Sequence, residues 1–451
     1  VSAVSFVELP SGCTVPGSRA SQRADVYWAG VWEQGATAAW LSADLARRQS
    51  AAGFGRIPTW LDVGPGRVQA SIRQTRRRDA RLNAMSVIDS WRTVTGEQMA
   101  AISGDAELGG HRSTVMGELF GAGVADIGSF NTGLADGKSA GSIYRPSRTP
   151  NFDREISGKL TYPEWVSVTA GHPWESGSQY DRHNILAAEL ALRVAEWCEI
   201  GAVVGEKLST LDLLAHSGAG LPRPTVGVQK AADATLIRTD GARIAVEITA
   251  STGKSFDAKV RRWAELLANR RMRDTGLAVV FVVATRPDKL VNTREVRAQV
   301  LRAVARAARD YPGVNFDRTA SRMFVADWRD WFPAAGKVDM SFLTLECQRP
   351  TGPASALWQQ ASLLDTFDLE FLPTDSGRAL AVIDNLSFVR SVPHWLRTGT
   401  SPALWPLAVT ALGFTGIPVP ELSATQAGPR MTLGAGKGAA GQTRVPRRLL
   451  G

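Results

Sequence analysis

Two carboxylates, Asp233 and Glu247, sit in the stretch of this 451-residue chain whose residue types and spacing best suit chemistry, AADATLIRTDGARIAVEITASTGKSFDAKVRRW. Apolar, β-branched runs flank the turn Thr239-Asp240-Gly241, the first from Ala234 to Ile237 and the second from Arg243 to Thr249. An Asp-Gly turn between two such runs predicts a β-hairpin. That hairpin would bring the acid at the start of one strand near the acid toward the end of its partner. Charge on a buried strand costs several kcal/mol, roughly, unless a cation or hydrogen bonds compensate it. Convergent carboxylates are what Mg²⁺ or Mn²⁺ requires, with the remaining positions left to water and phosphate oxygens.

The elements around the pair must hold it in place. A helix is expected from Ser255 to Arg273, carrying Lys259 near its start with Lys254 just before it. Only nine of the 52 basic residues are lysines, and two of the nine are these. Lysine is a compact ammonium, whereas arginine cannot deprotonate. Upstream, DRHNILAAELALRVAEWCEI spaces Ile185, Leu186, Leu190, Val194 and Trp197 as one helical stripe. Downstream, LAVVFVVAT reads as a strand buried on both faces, TREVRAQVLRAVARAARD as a second amphipathic helix and SRMFVADW as a further short strand. Glu206, on an expected strand before the hairpin, is an additional ligand candidate. The bland alternative makes Asp233 a strand-start cap and Glu247 the partner of a nearby arginine.

Residues from about Arg76 to Arg148 are expected to form three helices and a hairpin, the pattern of a winged helix. The helices would run from Arg77 to Trp91, from the capping box Thr95-Gly-Glu-Gln98, and from about Arg112 to Phe120. The last would enter a DNA major groove, with Arg112 and the cluster Arg73, Arg76, Arg77, Arg78 and Arg81 on phosphates. Arg261 and Arg262, on the helix after the hairpin, would track the backbone nearer the acids. A module that binds protein instead would have the same three helices.

Asp, hairpin, Glu and then a basic helix resembles the PD-(D/E)XK nuclease superfamily. The resemblance implies one or two Mg²⁺ ions held by Asp233 and Glu247, with a lysine orienting or activating water. The superfamily's lysine stands two residues after the Glu, where this chain has Thr249, so the resemblance nominates Lys259, then Lys254, from the following helix. Ala232 replaces the proline before the first acid. Taken with TGEQMAAISG, LFGAGVAD and HNILAAELALRVAEW, the order of motifs resembles the actinobacterial plasmid replication-relaxation proteins over about Arg76 to Asp327. That resemblance implies a winged helix joined to a nuclease-like domain, acting on DNA beside conjugation or replication proteins. Either an endonuclease or a non-catalytic DNA-binding regulator on a degenerate nuclease fold is consistent with it.

The expected class is therefore α/β: a PD-(D/E)XK-like core, an N-terminal winged helix and a small C-terminal α+β region. The expected boundaries are 1–70 (an extension with a helix from Ala24 to Arg48), 71–150, a linker at 151–180 whose TYPEWVSVTAGHPW could add a strand, 181–335, 336–426 and a basic tail at 427–451. Within 336–426, FDLEFLPTD and ALAVIDNLSFV read as strands. A formal charge of +9 favours a polyanion partner. Cys13, Cys198 and Cys347 share no metal spacing, and five scattered histidines make no zinc pair. With no signal peptide read, a cytoplasmic location is expected. Between Thr398 and Pro420 the chain carries no charge, but four prolines break it up, so no membrane span is expected.

Overall fold

A computed structural model describes residues 6–8, 23–74, 77–110, 112–131, 142–174, 180–209, 232–288, 290–314, 316–352 and 357–398. Arg76, Cys13, the charge-free stretch beyond Thr398 and the basic tail lie outside them. The chain is mixed α/β. Its centre is a seven-stranded sheet formed, in chain order, by β5 (Ala202–Gly205), β6 (Ala234–Ile237), β7 (Arg243–Thr249), β8 (Leu277–Val283), β9 (Met323–Asp327), β10 (Glu346–Pro350) and β11 (Trp358–Ser362). Spatial order follows chain order from one edge to the other. β5, β6 and β7 form an antiparallel meander, β7, β8 and β9 run parallel, and β10 and β11 return antiparallel.

Side-chain alternation divides the sheet into two faces. Ile244, Val246 and Ile248 of β7 and Ala278, Val280 and Val282 of β8 join one core with helix α7 (Asp181–Trp197). Ala245, Val279, Phe281 and Val283 join the other with α8 (Lys254–Asn269) and α9 (Leu290–Asp310). In α8, Phe256, Val260, Trp263, Ala264 and Leu267 are buried, a 3.6-residue stripe that leaves the remaining faces to charged residues.

The upstream part begins with β1 (Thr37–Leu41), α1 (Ala43–Ala51), α2 (Pro65–Arg73) and α3 (Arg78–Trp91). β2 (Val94–Thr95), α4 (Gly96–Ser103), α5 (Thr114–Gly121), β3 (Ala125–Asn131) and β4 (Ser142–Pro146) follow, and the four strands pair in the order β1-β3-β4-β2. Thr95 and Gln98 close the expected capping box on α4. This part is joined tightly to the central sheet. A methyl group at Gly205, the last residue of β5, would overlap the backbone of Ser90 and Trp91. Beside it, Lys207 and Asp89 form a buried ion pair, and the Trp91 indole donates to the Ser391 carbonyl at 2.9 Å.

Five expectations are corrected. No helix runs from Ala24 to Ser42: Gly30 and Gly35 take φ of 87° and 82°, and the segment turns before entering β1. Residues 151–174 are not a linker, since Phe152 stacks on Trp174 at 4.1 Å. Within them TYPEWVSVT is helix α6 (Tyr162–Thr169) rather than a strand, because Thr161 and Glu164 form a capping box with Pro163 in the first turn. The region after 336 is not a separate appendage, because β10 and β11 extend the central sheet. Finally, ALAVIDNL lies in helix α10 (Ser376–Leu386) and no strand forms over FDLEFLPTD; Ala379, Val382, Ile383 and Leu386 are buried at helical spacing. A short helix, α11 (His394–Thr398), ends the described chain. No described helix is long and apolar enough to cross a membrane.

α5 differs most from its expected role. Every residue from Val115 to Gly121 is buried. Methyl groups at Gly117 and Gly121, one turn apart, would overlap the carbonyl oxygens of Trp60 and Val63, so backbone from the segment before α2 lies directly on this helix. Gly117→Ala is therefore expected to destabilise the protein by about 1–3 kcal/mol through overpacking. Gly158→Ala, which meets open space, should change stability little; denaturant unfolding of the two variants checks the difference.

Candidate metal and phosphate site

The hairpin places the two acids opposite each other. Gly241 takes φ 88° and its N–H donates to the Arg238 carbonyl at 2.9 Å, closing the turn. The register that follows pairs Ala234 with Val246, so Asp233, one residue before β6, faces Glu247 on β7. Asp233 is fastened by its own backbone, whose N–H donates to Val246 O at 3.0 Å. Its Oδ2 accepts the Ile248 N–H at 2.6 Å.

Glu247 is 2 % exposed and points to the α8 side of the sheet. α8 supplies both of its partners from adjacent turns. The Lys259 ammonium lies 2.7 Å from Oε2 and the Trp263 indole donates to Oε1 at 2.7 Å. Of the two nominated lysines, Lys259 is the one that reaches Glu247. Lys254, the first residue of α8, is exposed and donates no described hydrogen bond to either acid, which corrects its nomination.

Two acids and one ammonium leave the cluster one negative charge in excess. Burial, then the charge of Asp233, pushes the Glu247 carboxyl above the ordinary range. Burial likewise raises Asp233, against the pull of Lys259. For Lys259, burial works against the ammonium, but Glu247 and Asp233 outweigh it and its pKa rises. Both acids therefore favour the ammonium form of this lysine. A site with surplus negative charge takes up either a proton or a further cation.

α7 contributes side chains that sequence reasoning passed over. His183 packs against Trp32 at 5.3 Å and makes a hydrogen bond to the Ile248 backbone. Burial, then Lys259 and Arg182, lowers its pKa to about 4, so the imidazole is neutral. Asn184 donates to Glu206 Oε2 at 2.5 Å. Glu206 opens the turn after β5, and its charge raises the Asp233 pKa. The readable signal was the start of α7, where the polar pair His183-Asn184 precedes the apolar run Ile185 to Ala188.

The residues assigned to phosphate contacts divide sharply. Arg77 pairs with Glu107 at 3.1 Å. Arg78 grips Glu164 through two bonds, at 2.6 and 2.7 Å, and also donates to the Ile72 carbonyl. Arg81 is buried on Glu118 at 2.7 Å. Arg81 therefore serves the interior, while Arg77 and Arg78 are half-buried, each engaged by a carboxylate within the protein. Arg112 is exposed, and so are Arg261 and Arg262 on α8, of which Arg262 lies about one turn from Lys259.

The donor set meets part of what a hard divalent ion needs. Asp233 and Glu247 are oxygen ligands in register, but Glu247 would have to exchange the Lys259 ammonium for the ion. Among the described residues, no group of three or more His, Cys, Asp or Glu is already spaced to hold a metal. Comparison of the chain with protein-family models, with curated proteins and with solved structures gives no match.

Proposed function

We propose that this is a DNA-binding protein of a plasmid or integrative element, with a Mg²⁺- or Mn²⁺-dependent endonuclease-like site, working in replication or conjugative transfer. The observation that carries the reading is the convergence of Asp233, Glu247 and Lys259 at one point of an α/β sheet. Asp233 and Glu247 would hold the ion, which when bound supplies Lewis-acid polarisation of a phosphate and a more acidic water. Lys259, protonated, neutralises charge that develops on the phosphate, and Trp263 keeps the Glu247 carboxylate aimed. The three helices α3, α4 and α5 with the hairpin β3–β4 support a winged-helix reading of the upstream part, and the meander with its crossover helices supports the PD-(D/E)XK reading of the sheet. The mobile-element context rests on the resemblance of the motifs to replication-relaxation proteins.

The test is nicking of supercoiled plasmid with Mg²⁺ or Mn²⁺. Cleavage by wild type that disappears in Asp233→Ala and with chelator supports the reading; equal cleavage by both proteins removes the catalytic claim.

A second reading, a DNA-binding regulator on a nuclease scaffold without catalysis, is favoured by one observation. Both Glu247 oxygens already have protein partners. Metal binding separates the two. Both acids have raised pKa values, so at lower pH a bound ion must displace protons. Mn²⁺ affinity is therefore expected to rise with pH between about 5 and 8, by up to about tenfold per unit for each proton displaced. Calorimetry in two buffers of different ionisation heat reads the proton release; no Mn²⁺ binding at any pH supports the regulator.

A further inference from the structure

The expected DNA-reading helix, α5, is buried from Val115 to Gly121, so phosphate contacts are to be sought on another surface. α8 and α9 are the crossovers between the parallel strands β7, β8 and β9. Both therefore run opposite to the strands and lie side by side on one face of the sheet, where they pack on each other. On α9, Arg294, Arg302, Arg306 and Arg309 are exposed. Their spacings of 8, 4 and 3 put them on a single stripe about 22 Å long. Arg261 and Arg262 are exposed on the neighbouring α8, a helix axis about 8–10 Å away.

These arginines differ from those of the upstream part. Arg309 pairs with its neighbour Asp310, at 3.8 Å, an exposed pair. Arg261, Arg262, Arg294, Arg302 and Arg306 have no ion-pair or hydrogen-bond partner among the described residues, whereas Arg77, Arg78 and Arg81 are paired. A stripe of exposed arginines on α9 and an exposed pair on the adjoining α8, five of the six without a partner among the described residues, offer a polyanion an extended positive surface on the helix that also carries Lys259. We propose that the outer face of α8 and α9 is a docking surface for double-stranded DNA, with the duplex lying along the α9 stripe and the α8 pair leading it to the carboxylates. The inference rests on the nucleic-acid reading above and moves the contact away from α5.

Each phosphate neutralised adds about 0.9 to the slope of log affinity against log salt. Anisotropy of a labelled 25-base-pair duplex with chelator present, so that nothing is cut, measures that slope for full-length protein. The variant Arg302→Gln/Arg306→Gln/Arg309→Gln, all at exposed positions, is expected to lower the slope by about 2–3 with little dependence on base sequence. An unchanged slope overturns the surface, as does a loss of that size in Arg73→Gln/Arg112→Gln instead. A single-stranded 25-mer with equal affinity and equal sensitivity to the triple variant overturns the assignment to a duplex. If wild type shows no salt-dependent binding to DNA of either kind, the underlying functional reading fails with it. Nicking retained alongside an unchanged slope would sink the surface alone.

Discussion

Replacing Arg23 with methionine is expected to cost the fold about 3–5 kcal/mol, because it takes from two buried carboxylates the guanidinium that bridges them. The Arg23 guanidinium forks between Glu189, at 3.2 Å through two nitrogens, and Glu196, at 2.6 and 2.9 Å. Both glutamates lie on the buried face of α7. Arg193 completes the cluster, bonding Glu189 at 3.0 Å and Asp25 at 3.1 Å while its guanidinium sits 4.4 Å from the centre of the Phe332 ring. The cluster fastens the segment that follows Arg23, in which Tyr27 donates to the Thr285 carbonyl at 2.7 Å and Trp32 to the Ala284 carbonyl at 2.6 Å.

Denaturant unfolding measures the loss. The triple variant Arg23→Met/Glu189→Gln/Glu196→Gln should recover most of it, since no uncompensated charge remains. An Arg23→Met protein as stable as wild type would show that the fork contributes nothing. Acid should act on the same cluster. Burial alone would raise Glu189, but Arg23 and Arg193 outweigh it and bring its pKa to about 2. A depressed carboxylate gives stability that is complete above its unfolded value near 4.5 and is lost as pH falls from there toward about 2. Wild type should therefore destabilise over that window, and Glu189→Gln should do so less steeply.

Lys259→Met is expected to lower metal-dependent nicking by about 10²–10³-fold, the usual effect of removing one preorganised positive group from a developing anion. Asp233 and Glu247 would then face each other without a cation, and their pKa values should rise further. A carboxyl raised in the folded state penalises folding above its unfolded value, so the variant should lose more stability relative to wild type at pH 8 than at pH 5. Thermal melts at the two pH values read this independently of any cleavage, and Lys259→Arg should restore the melts. Identical pH profiles for wild type and Lys259→Met would mean that the ammonium does not govern the acids.

The acid pair could be read from sequence because a two-residue error in register is hard to make there. An Asp-Gly turn and two β-branched runs leave one antiparallel alignment that buries both sets of side chains, and it puts Asp233 across from Glu247. Choosing between the two lysines needed helix phase: five residues rotate a helical position by about 140°, so only one of Lys254 and Lys259 can face β7. Trp263, one turn beyond Lys259, was visible as core but not as a hydrogen-bond donor. β10 (ECQRP) and the edge strand β11 (WQQAS) carry too few apolar residues to show a strand pattern, and the nearly continuous apolar run of α10 reads as a strand when taken alone. The cover over α5 and the Arg23 fork depend on partners far apart in the chain, and no local pattern encodes them.

The near-contact between Gly205 and the end of α3 bears on inheritance as well as on stability. A recombination event that joined the upstream helices to another sheet would have to bring a glycine at that place, a lysine two residues later and an acid to receive it. The two halves should therefore have diversified together, and chimaeras cut between residues 170 and 181 should fail to fold even when each parent folds well.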